Sequence, residues 1–392
     1  MRKNVLLITN NFPDKDNKFI NGIFIKEQLK GLSDKFYVYI IVPKPFFPKF
    51  LTKYKIFSKY QYQTSCENYE MPNARIFYAR YPIFIPKIFN SLKIYFAARA
   101  IKKVIKKNKL NFSLIHAHFA YPCGTMALNV KKIYPRPLII TAHGFDVYKE
   151  QSTKKKMAQS SKTMRKADFI IAVSKKNREI IKNEMKVNKK VQVIPNGYDE
   201  SIFRIMSKTS LRKKLKLNLK KKIIICVGSL DEIKGHKYLI KSLSYLKEDF
   251  HLLMAGSGPL LQELEKLGKS LNVNKKISFL GKVKHEELPF WLNSSDLYVM
   301  PSLSEGLPVS LIEALSCGLP CVCSAVGGIP EFVSKDTGYL VEPKNPKQLA
   351  EKISIALNKK WNKEKIIKAV KGCTWKEISN SVEKVYLEAI HS

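Results

Sequence analysis

Two glutamates, Glu305 and Glu313, are the residues best suited to chemistry on a phosphorylated ligand. They lie eight positions apart, directly after the apolar segment 297–300, in a sequence that predicts a strand, a tight loop and a helix. Gly306 suits the loop because glycine adopts backbone angles that other residues avoid, and Pro308 suits the first helical position. One carboxylate should therefore precede the helix, and the other should lie about two turns along it.

The start of this predicted helix offers free N–H groups and the positive end of a dipole, which together form an anion site between the two carboxylates. A carboxylate, an anion site and a second carboxylate in a row suit a ligand with hydroxyl groups at both ends and phosphate in its middle. A sugar nucleotide has that shape. Two glutamates on a solvated helix face are the alternative explanation, which the pair alone does not exclude.

The sequence around the pair resembles the retaining GT-B glycosyltransferases of family 4, whose E-x7-E signature Glu305 to Glu313 reproduces. The flanking segments 301–304, 314–320 and 326–331 are similar to that family as well. The resemblance implies that Glu305 contacts the donor sugar, that Glu313 binds the ribose hydroxyls, and that backbone between them holds the diphosphate. The residues of that backbone are Gly306, Leu307, Pro308 and Val309.

Loops after three other predicted strands complete the donor site that the resemblance implies. Lys234 lies in a loop that opens onto a helix, where its ammonium group can neutralise diphosphate oxygens, although a surface lysine is the plain alternative. Relatives commonly carry Arg where this chain has Ser229, so a bidentate phosphate clamp is missing here. The remaining expected donor contacts are Gly228, Gly256, Gly258 and the backbone of Val283 beside the base.

Residues of the first half are expected to face the sugar and the acceptor. Gly22 begins a helix after the first strand, and relatives, which often have Gly-Gly in place of Asn21-Gly22, use a glycine here to bring backbone amides near the donor phosphate. His143 follows a buried strand, and the resemblance implies that it contacts the sugar near the anomeric centre. His116 and His118 alternate on one predicted strand and share a face, so structural hydrogen bonding and a place on the acceptor side both remain open.

The resemblance also implies the reaction. A nucleoside diphosphate leaves the anomeric carbon, Lys234 and the start of the helix stabilise its charge, Glu305 orients the sugar, and the leaving phosphate deprotonates the acceptor with retention of configuration. The expected catalytic residues are thus Glu305, Lys234 and His143. No Asp-x-Asp motif stands at the end of a predicted strand, so we expect neither a metal ion nor another cofactor.

Apolar strands alternate with helix-like segments almost throughout the 392 residues, which predicts a parallel α/β fold. The resemblance implies the GT-B arrangement, in which two doubly wound, Rossmann-like domains face a cleft at the carboxyl ends of their strands. We expect an acceptor-binding domain over residues 1–198 and a domain that binds the nucleotide sugar over residues 199–374. Residues 375–392 should form a helix that crosses back to the first domain.

The net charge of +38 is unevenly distributed, because residues 35–145 contain only two acidic residues, Glu67 and Glu70. Aromatic residues at 45–50 and 81–89 are mixed with the basic ones. This combination suits an anionic membrane surface. Nucleic acid is the competing partner for so basic a chain, but no nucleic-acid-binding motif is visible, so we expect binding to membrane and not to nucleic acid.

The seven cysteines are odd in number and scattered, which favours reduced thiols over a disulfide framework. Neither a signal peptide nor an apolar run of about 18 residues is visible. Segments 22–28 and 116–122 look most like bacterial enzymes of surface-polysaccharide synthesis, including those for teichuronic-acid-type polymers. We therefore expect a cytoplasmic protein, peripheral on the inner face of the membrane, that uses a nucleotide sugar and a lipid-linked or growing polysaccharide acceptor. A UDP-sugar is the favoured donor, but the nucleobase remains open.

Two other interpretations remain open. A GT-B relative with different chemistry, such as a nucleotide-sugar epimerase or a pyridoxal-dependent phosphorylase, would share the fold and would be separated by analysis of its products. A non-enzymatic basic module would instead bind RNA or DNA in a salt-sensitive manner, and substitution of Glu305 would leave that binding unchanged.

Overall fold

The computed structural model describes residues 2–16, 22–46, 66–82 and 90–392. The chain divides into two compact units. The N-terminal unit consists of Met1–Pro195 together with Trp375–Ser392, and the C-terminal unit is Asn196–Thr374. The chain enters the C-terminal unit at residue 196, where the sequence predicted residue 199.

A sheet of eight strands forms the centre of the N-terminal unit, in the order β3-β4-β2-β1-β5-β6-β7-β8. Of the described strands, β3 at the edge runs antiparallel to its neighbour and the others are parallel. Helices cover both faces of such a sheet, which explains the nearly continuous apolar runs. The strands are β1 Lys3–Ile8, β2 Phe36–Phe46, β3 Tyr69–Met71, β4 Ala74–Pro82, β5 Leu114–His118, β6 Leu138–Ala142, β7 Phe169–Ala172 and β8 Val191–Val193.

Helices between these strands begin at side-chain caps where the sequence provides them. The hydroxyl groups of Thr153 and Ser174 accept hydrogen bonds from the backbone N–H groups three residues later, as is typical of helix starts. The end of the chain adds one more helix to this unit, here called the C-terminal helix (Trp375–His391). The others are α1 Ile23–Lys30, α2 Asn90–Lys107, α3 Thr125–Lys131, α4 Lys154–Lys166 and α5 Lys175–Glu179.

The C-terminal unit contains a parallel sheet of six strands in the order β11-β10-β9-β12-β13-β14. Its strands are β9 Lys222–Val227, β10 Phe250–Ala255, β11 Ile277–Gly281, β12 Leu297–Met300, β13 Cys321–Ser324 and β14 Gly338–Val341. Its helices are α6 Lys208–Lys214, α7 His236–Leu243, α8 Leu261–Ser270, α9 Leu288–Ser294, α10 Val309–Ser316, α11 Pro346–Asn358 and α12 Lys363–Lys368. Two α/β units with parallel sheets confirm the predicted fold class.

One predicted helix start is wrong in detail. Helix α10 begins at Val309, and Pro308 is its cap residue with extended backbone angles, not its first helical residue. A residue in that conformation cannot belong to the helix, so Glu313 lies just over one turn along α10 and not two. The segment between Glu305 and the helix is correspondingly longer than the sequence suggested.

Three of the sequence-based expectations fall on residues that the structure does not describe. Asn21 is one of them, and most of the aromatic residues at 45–50 and 83–89 are the others. All seven cysteines lie in the described parts of the chain, where each is buried and free of disulfide bonds.

Candidate active site

The sheet of the C-terminal unit changes direction between β9 and β12. Strands β10 and β11 follow β9 on one side, whereas β13 and β14 follow β12 on the other. Loops that leave the carboxyl ends of two such strands diverge and leave a crevice, which is where ligands bind in doubly wound sheets. Lys234 lies in the loop after β9, and Glu305 lies in the loop after β12. The topology therefore brings the two predicted residues to the same crevice.

Lys234 and Glu305 form an ion pair, with Nζ 2.7 Å from Oε1. Ser302 donates a second hydrogen bond to the same oxygen at 2.8 Å. The side chains are 22% and 10% exposed, respectively. Burial alone would lower the pKa of Lys234, but the charge of Glu305 and the hydrogen bond to it outweigh burial and raise that pKa. Lys234 is thus a fixed positive charge in a partly buried position.

Gly235 allows the two loops to meet. Its backbone φ is +64°, and a β-carbon there would lie 2.1 Å from the carbonyl oxygen of Pro301. Any side chain would therefore push the loop after β12 away from the loop after β9. Gly228 has a different role, since its α-carbon faces the aliphatic stem of Lys234, with Cδ 3.6 Å from where a β-carbon would be.

The two other predicted glycines pack against backbone of the same crevice. A β-carbon on Gly256 would lie 1.8 Å from the carbonyl oxygen of Gly228, and one on Gly258 would lie 2.4 Å from that of Leu230. Both glycines are therefore needed for the loops after β9 and β10 to lie against each other. Their expected contacts with a nucleotide stay a prediction.

Ser229, which stands where relatives commonly carry Arg, uses its side chain locally. Its hydroxyl donates to Oδ2 of Asp231 at 2.5 Å, and its carbonyl oxygen lies 3.0 Å from Nε2 of His236. The hydroxyl therefore stabilises the loop that carries Lys234. In this arrangement Ser229 does not point a hydrogen-bond donor out of its own loop, and Lys234 is the cationic residue of that loop nearest Glu305.

The start of α10 has no capping side chain. Its cap residue is Pro308, which makes no side-chain hydrogen bond to the helix, and the first N–H groups of a helix have no partner within the helix itself. Glu305, Gly306 and Leu307 precede the helix and are buried, and the amide of Asn196 donates to the carbonyl oxygen of Leu307 at 2.6 Å. The hydrogen bond from Asn196 thus helps to fix the backbone that we expect to hold the diphosphate.

His285 is a residue that the sequence analysis missed. Its Nε2 lies 2.7 Å from Oε1 of Glu313, the glutamate expected to bind ribose, and the two side chains are 14% and 4% exposed. Phe203 packs against the imidazole with ring centroids 5.2 Å apart. His285 follows β11, in the same loop as the half-buried Val283. No motif links positions 285 and 313, so only the fold could reveal the pair.

Gly22 is required by geometry at the start of α1. Its φ is +82°, and a β-carbon would lie 2.2 Å from the carbonyl oxygen of Asn11. Among the residues that the structure describes, no side chain caps α1, and the carbonyl oxygen of Gly22 accepts from the N–H of Ile25 at 2.9 Å. Gly22 therefore brings the start of α1 against the loop after β1, which is the switch point of the N-terminal sheet.

The three predicted histidines lie together at the carboxyl ends of β5 and β6. Nδ1 of His118 is 2.9 Å from Nε2 of His143. His116 is fully buried, with Nδ1 2.8 Å from the hydroxyl of Tyr386 and Nε2 2.8 Å from that of Thr141. Both nitrogens of His116 are thus occupied by protein, so His116 has the structural role and no atom left for an acceptor.

Burial also determines the charge of these rings. It lowers the pKa of His116 and His143 to about 3, and that of His118 well below its usual range. The neighbouring histidines contribute further lowering at His118 and His143. At neutral pH all three rings are therefore neutral and act through hydrogen bonds.

Asp146 fixes the loop that carries His143, and the sequence analysis did not single it out. Its Oδ1 accepts from the backbone N–H groups of His143 and Gly144 at 3.0 and 3.2 Å, and its Oδ2 accepts from that of Ala120 at 2.7 Å. Burial raises the pKa of this carboxyl, although the backbone hydrogen bonds oppose the rise. The position of Asp146, three residues after His143, was the available signal.

Two family profiles match this chain. Residues 25–202 match Glycosyltransferase Family 4, and residues 207–372 match Glycosyl transferases group 1. The chain belongs to the family 4 glycosyltransferases.

Similar proteins agree with this assignment. The glycosyltransferase is 32% identical over 261 residues to TuaC of Bacillus subtilis (strain 168), a protein assigned to teichuronic acid biosynthesis as a glycosyltransferase. That alignment covers 66% of this chain and 64% of the relative, so it spans somewhat less than two thirds of the relative's length.

Solved structures share the fold of this glycosyltransferase along nearly its whole length. Sucrose-phosphate synthase from Thermosynechococcus elongatus superimposes with a TM-score of 0.81 at 20% identity, covering 99% of both chains. Anabaena HepE in complex with UDP and glucose superimposes with a TM-score of 0.73 at 18% identity, covering 98% of this chain and 99% of that one. The fold is therefore the GT-B fold.

The described residues contain neither a cluster of metal ligands nor a helix that could span a membrane. Nowhere in the described ranges do three or more His, Cys, Asp or Glu side chains cluster in a way that could hold a metal ion. None of the helices described above is both long and apolar enough to cross a membrane.

Proposed function

We propose that this glycosyltransferase moves a hexose from a nucleoside-diphosphate sugar, preferably a UDP-sugar, to a lipid-linked or growing polysaccharide acceptor with retention of anomeric configuration. The observation that carries the proposal is the Lys234–Glu305 ion pair beside the uncapped start of α10, at the switch point of a doubly wound sheet. In this pair Lys234 offers a positive charge to the diphosphate and Glu305 offers a carboxylate to the sugar. The two groups are within hydrogen-bond distance of each other.

Lys234 stabilises the leaving diphosphate in this proposal. An ammonium group has three N–H donors, so Lys234 can keep its bond to Glu305 and still donate to phosphate oxygens. The N–H groups at the start of α10 add donors from the other side. These groups are placed before the reaction begins, which is the arrangement that lowers the energy of a developing charge. We therefore propose that no metal ion is required.

Glu305 and Glu313 hold the two ends of the donor. Glu305 accepts hydrogen bonds from sugar hydroxyls with the oxygen that Lys234 and Ser302 leave free. Glu313 accepts from the ribose hydroxyls, in an orientation that His285 fixes. The backbone of Val283, in the same loop as His285, contacts the base.

Gly22 and His143 supply the contribution of the N-terminal unit. The start of α1 brings backbone amides toward the donor phosphate, and His143 contacts the sugar near the anomeric carbon. Because His143 is neutral at physiological pH, it acts as a hydrogen-bond partner and not as a cation. The leaving phosphate then takes the proton of the acceptor hydroxyl as the new glycosidic bond forms on the same face.

The proposed substrates rest on similar proteins and on charge. TuaC is assigned to teichuronic acid biosynthesis, and HepE was solved with UDP and glucose. The basic character of residues 35–145 suits an acceptor carried on an anionic membrane, so we place the enzyme at the inner face of the cell membrane.

A donor panel tests the proposal. UDP-, GDP- and ADP-sugars are each incubated with the purified protein and with lipid extract or polysaccharide fragments, and nucleotide release and product are measured. We expect one sugar nucleotide to support transfer that is lost in E305A. An epimer of the free donor, or a product that requires inorganic phosphate, would replace this proposal with epimerase or phosphorylase activity.

A further inference from the structure

One hydrogen bond in the N-terminal unit has a direction that decides what His143 can do. His118 Nδ1 and His143 Nε2 are 2.9 Å apart, and the two rings stack with centroids 5.1 Å apart. Both rings are neutral at physiological pH, for the reasons given above, so they share a single proton along this bond. Either His118 donates to His143, or His143 donates to His118.

The second nitrogen of His118 distinguishes the two arrangements. Its Nε2 has less than 1 Å² of accessible area and no hydrogen-bond partner among the residues that the structure describes. If His143 donated, the proton of His118 would sit on Nε2 as a buried N–H group without an acceptor. If His118 donates from Nδ1, Nε2 carries only a lone pair. Buried N–H groups without an acceptor are rarer in proteins than buried acceptors without a donor, and an unsatisfied buried donor is costly.

We propose that His118 is a positioning residue that donates to His143 and thereby holds it in the tautomer protonated at Nδ1. In this tautomer Nε2 of His143 is occupied, and the nitrogen left for a ligand carries a proton. His143 can then donate a hydrogen bond to an oxygen of the sugar or the acceptor. It has no free lone pair with which to remove a proton, so it is not the base that activates the acceptor.

Neighbouring groups do not compete for this proton. The carboxylate oxygens of Asp146 already accept three backbone N–H groups, as described above. The imidazole of His116 lies tilted beside His118 with centroids 4.6 Å apart, but its two nitrogens have other partners. Phe24 packs against the ring of His143 with centroids 4.9 Å apart and adds no hydrogen-bonding group. None of these neighbours therefore decides which of His118 and His143 holds the proton between them.

Nuclear magnetic resonance of the complete chain, labelled with ¹⁵N at histidine, tests the tautomer directly. Long-range ¹H–¹⁵N correlation spectra separate protonated from bare ring nitrogens, and loss of signals in H143N and H118N assigns them. We expect His143 to be protonated at Nδ1 and bare at Nε2 at pH 7. A His143 protonated at Nε2 overturns the proposal. Because this measurement needs no substrate, its result is independent of whether the proposed transfer reaction is correct.

Two substitutions of nearly equal size then test the consequence for activity, which does rest on the proposed function. In H118N the amide N–H can replace the Nδ1 donor, whereas in H118D the carboxylate can only accept. We expect H118N to keep kcat within about tenfold of the wild type, and H118D to lose on the order of 10² to 10³-fold, as for removal of a preorganised donor. In H118D the proton of His143 should move to Nε2.

The control is H251N, which removes a histidine that hydrogen bonds to Ser278 in the other unit and should leave transfer unchanged. Thermal unfolding shows that each variant is folded. Equal losses of activity in H118N and H118D, with the tautomer of His143 unchanged in both, would make His118 a packing residue only. If H118D does not fold, the spectrum of the wild type and the activity of H118N still decide the matter.

Discussion

At the scale of single residues, the ion pair of Lys234 and Glu305 is the feature on which the proposed donor site rests. A lysine placed beside a carboxylate in a partly buried site stays charged, because the carboxylate more than offsets the effect of burial on its pKa. The pair therefore presents a cation and an anion whose positions are fixed by each other. A ligand that carries both phosphate and hydroxyl groups can satisfy both at once, whereas a free anion would be repelled by Glu305.

We expect K234A to lower kcat by on the order of 10² to 10³-fold, because a preorganised charge at the leaving group is lost. Steady-state transfer with the best donor measures the effect. K237A is the matched control, since Lys237 is a nearby lysine that pairs with Glu232 on the surface. Near-normal turnover of K234A would remove Lys234 from the site.

The same pair has a predictable response to alkaline pH. The folded-state pKa of Lys234 lies above the ordinary value of 10.5, so its contribution to stability is fully present below pH 10.5 and is lost as the pH rises through the raised pKa. We expect unfolding by urea to show no dependence on Lys234 titration between pH 7 and 10. If the difference in free energy of unfolding between the wild type and K234A shrank steadily from pH 7 to 10, that result would contradict the raised pKa of Lys234.

At the scale of elements, the site depends on loops that approach each other more closely than side chains would allow. Gly235 and Gly256 each face a carbonyl oxygen of a neighbouring loop at a distance that excludes a β-carbon. Strands β9 and β12 are adjacent at the switch point of the sheet. The contact between Gly235 and Pro301 therefore joins the loops that follow these two strands. The glycines therefore act on the active site through the distance between loops.

We expect G235A to destabilise the C-terminal unit by about 2 to 4 kcal/mol. Part of this is the cost of a left-handed backbone, about 1 kcal/mol or slightly more, and the rest is the clash with Pro301. G372A is the matched control, because Gly372 also has a positive φ, +86°, but has nothing within 4 Å of a β-carbon. Urea unfolding of both variants measures their losses of unfolding free energy. Equal losses would show that the loop at Pro301 moves aside without cost.

His285 makes a testable contribution through Glu313. We expect H285A to raise the KM for the sugar nucleotide about tenfold with little change in kcat, because a charge-assisted hydrogen bond of roughly 1.5 to 3 kcal/mol no longer orients Glu313, the carboxylate that we propose binds ribose. Initial rates at varied donor concentration measure both constants. H251A removes a comparable histidine elsewhere in the unit and should change neither. A fall in kcat alone would place His285 at the reacting atoms instead.

The sequence predicted most of these elements but fewer of their contacts. Buried parallel strands such as β12 and β13 appear as short apolar runs between turn residues, so their bounds were predictable. The antiparallel strand β3 was missed because an edge strand of three residues has no apolar run. The bond between His285 and Glu313, and that between His118 and His143, join different strands or loops, so no local spacing encodes them. Lys234, Glu305 and Gly22 could be singled out from the sequence because short motifs contain them, and their roles stay predictions.

At the scale of the whole molecule, the three histidines whose pKa values are lowered most lie in the N-terminal unit. Three neutral imidazoles lie at the ends of β5 and β6, where burial lowers their pKa values to about 3 or further. In the unfolded chain the same rings take up protons near the ordinary value of 6.5. The unfolded state therefore binds more protons than the folded state at mildly acidic pH, and the stability of the N-terminal unit must fall as the pH drops below 6.5.

We expect the N-terminal unit to open before the C-terminal unit at pH 5. Hydrogen exchange measured by mass spectrometry, corrected for intrinsic exchange rates, reports on the two units separately. Protection should fall more between pH 7 and 5 for β5 and β6 than for β12 and β13. Substitution of His116 by Gln should weaken this pH dependence, since one buried titrating ring is removed. Equal loss of protection in both units would contradict the prediction.

The order in which the chain leaves the ribosome differs from the order in which its parts can be completed. The C-terminal helix packs on α1 within the N-terminal unit: Glu383 accepts hydrogen bonds from the backbone and hydroxyl of Ser33, and Ser379 donates to the carbonyl oxygen of Gln28. The N-terminal unit therefore cannot be completed until residues 375–391 have been translated, whereas the continuous stretch 196–374 can fold earlier. Deletion of the C-terminal helix should consequently destabilise the N-terminal unit, whose other residues are translated first.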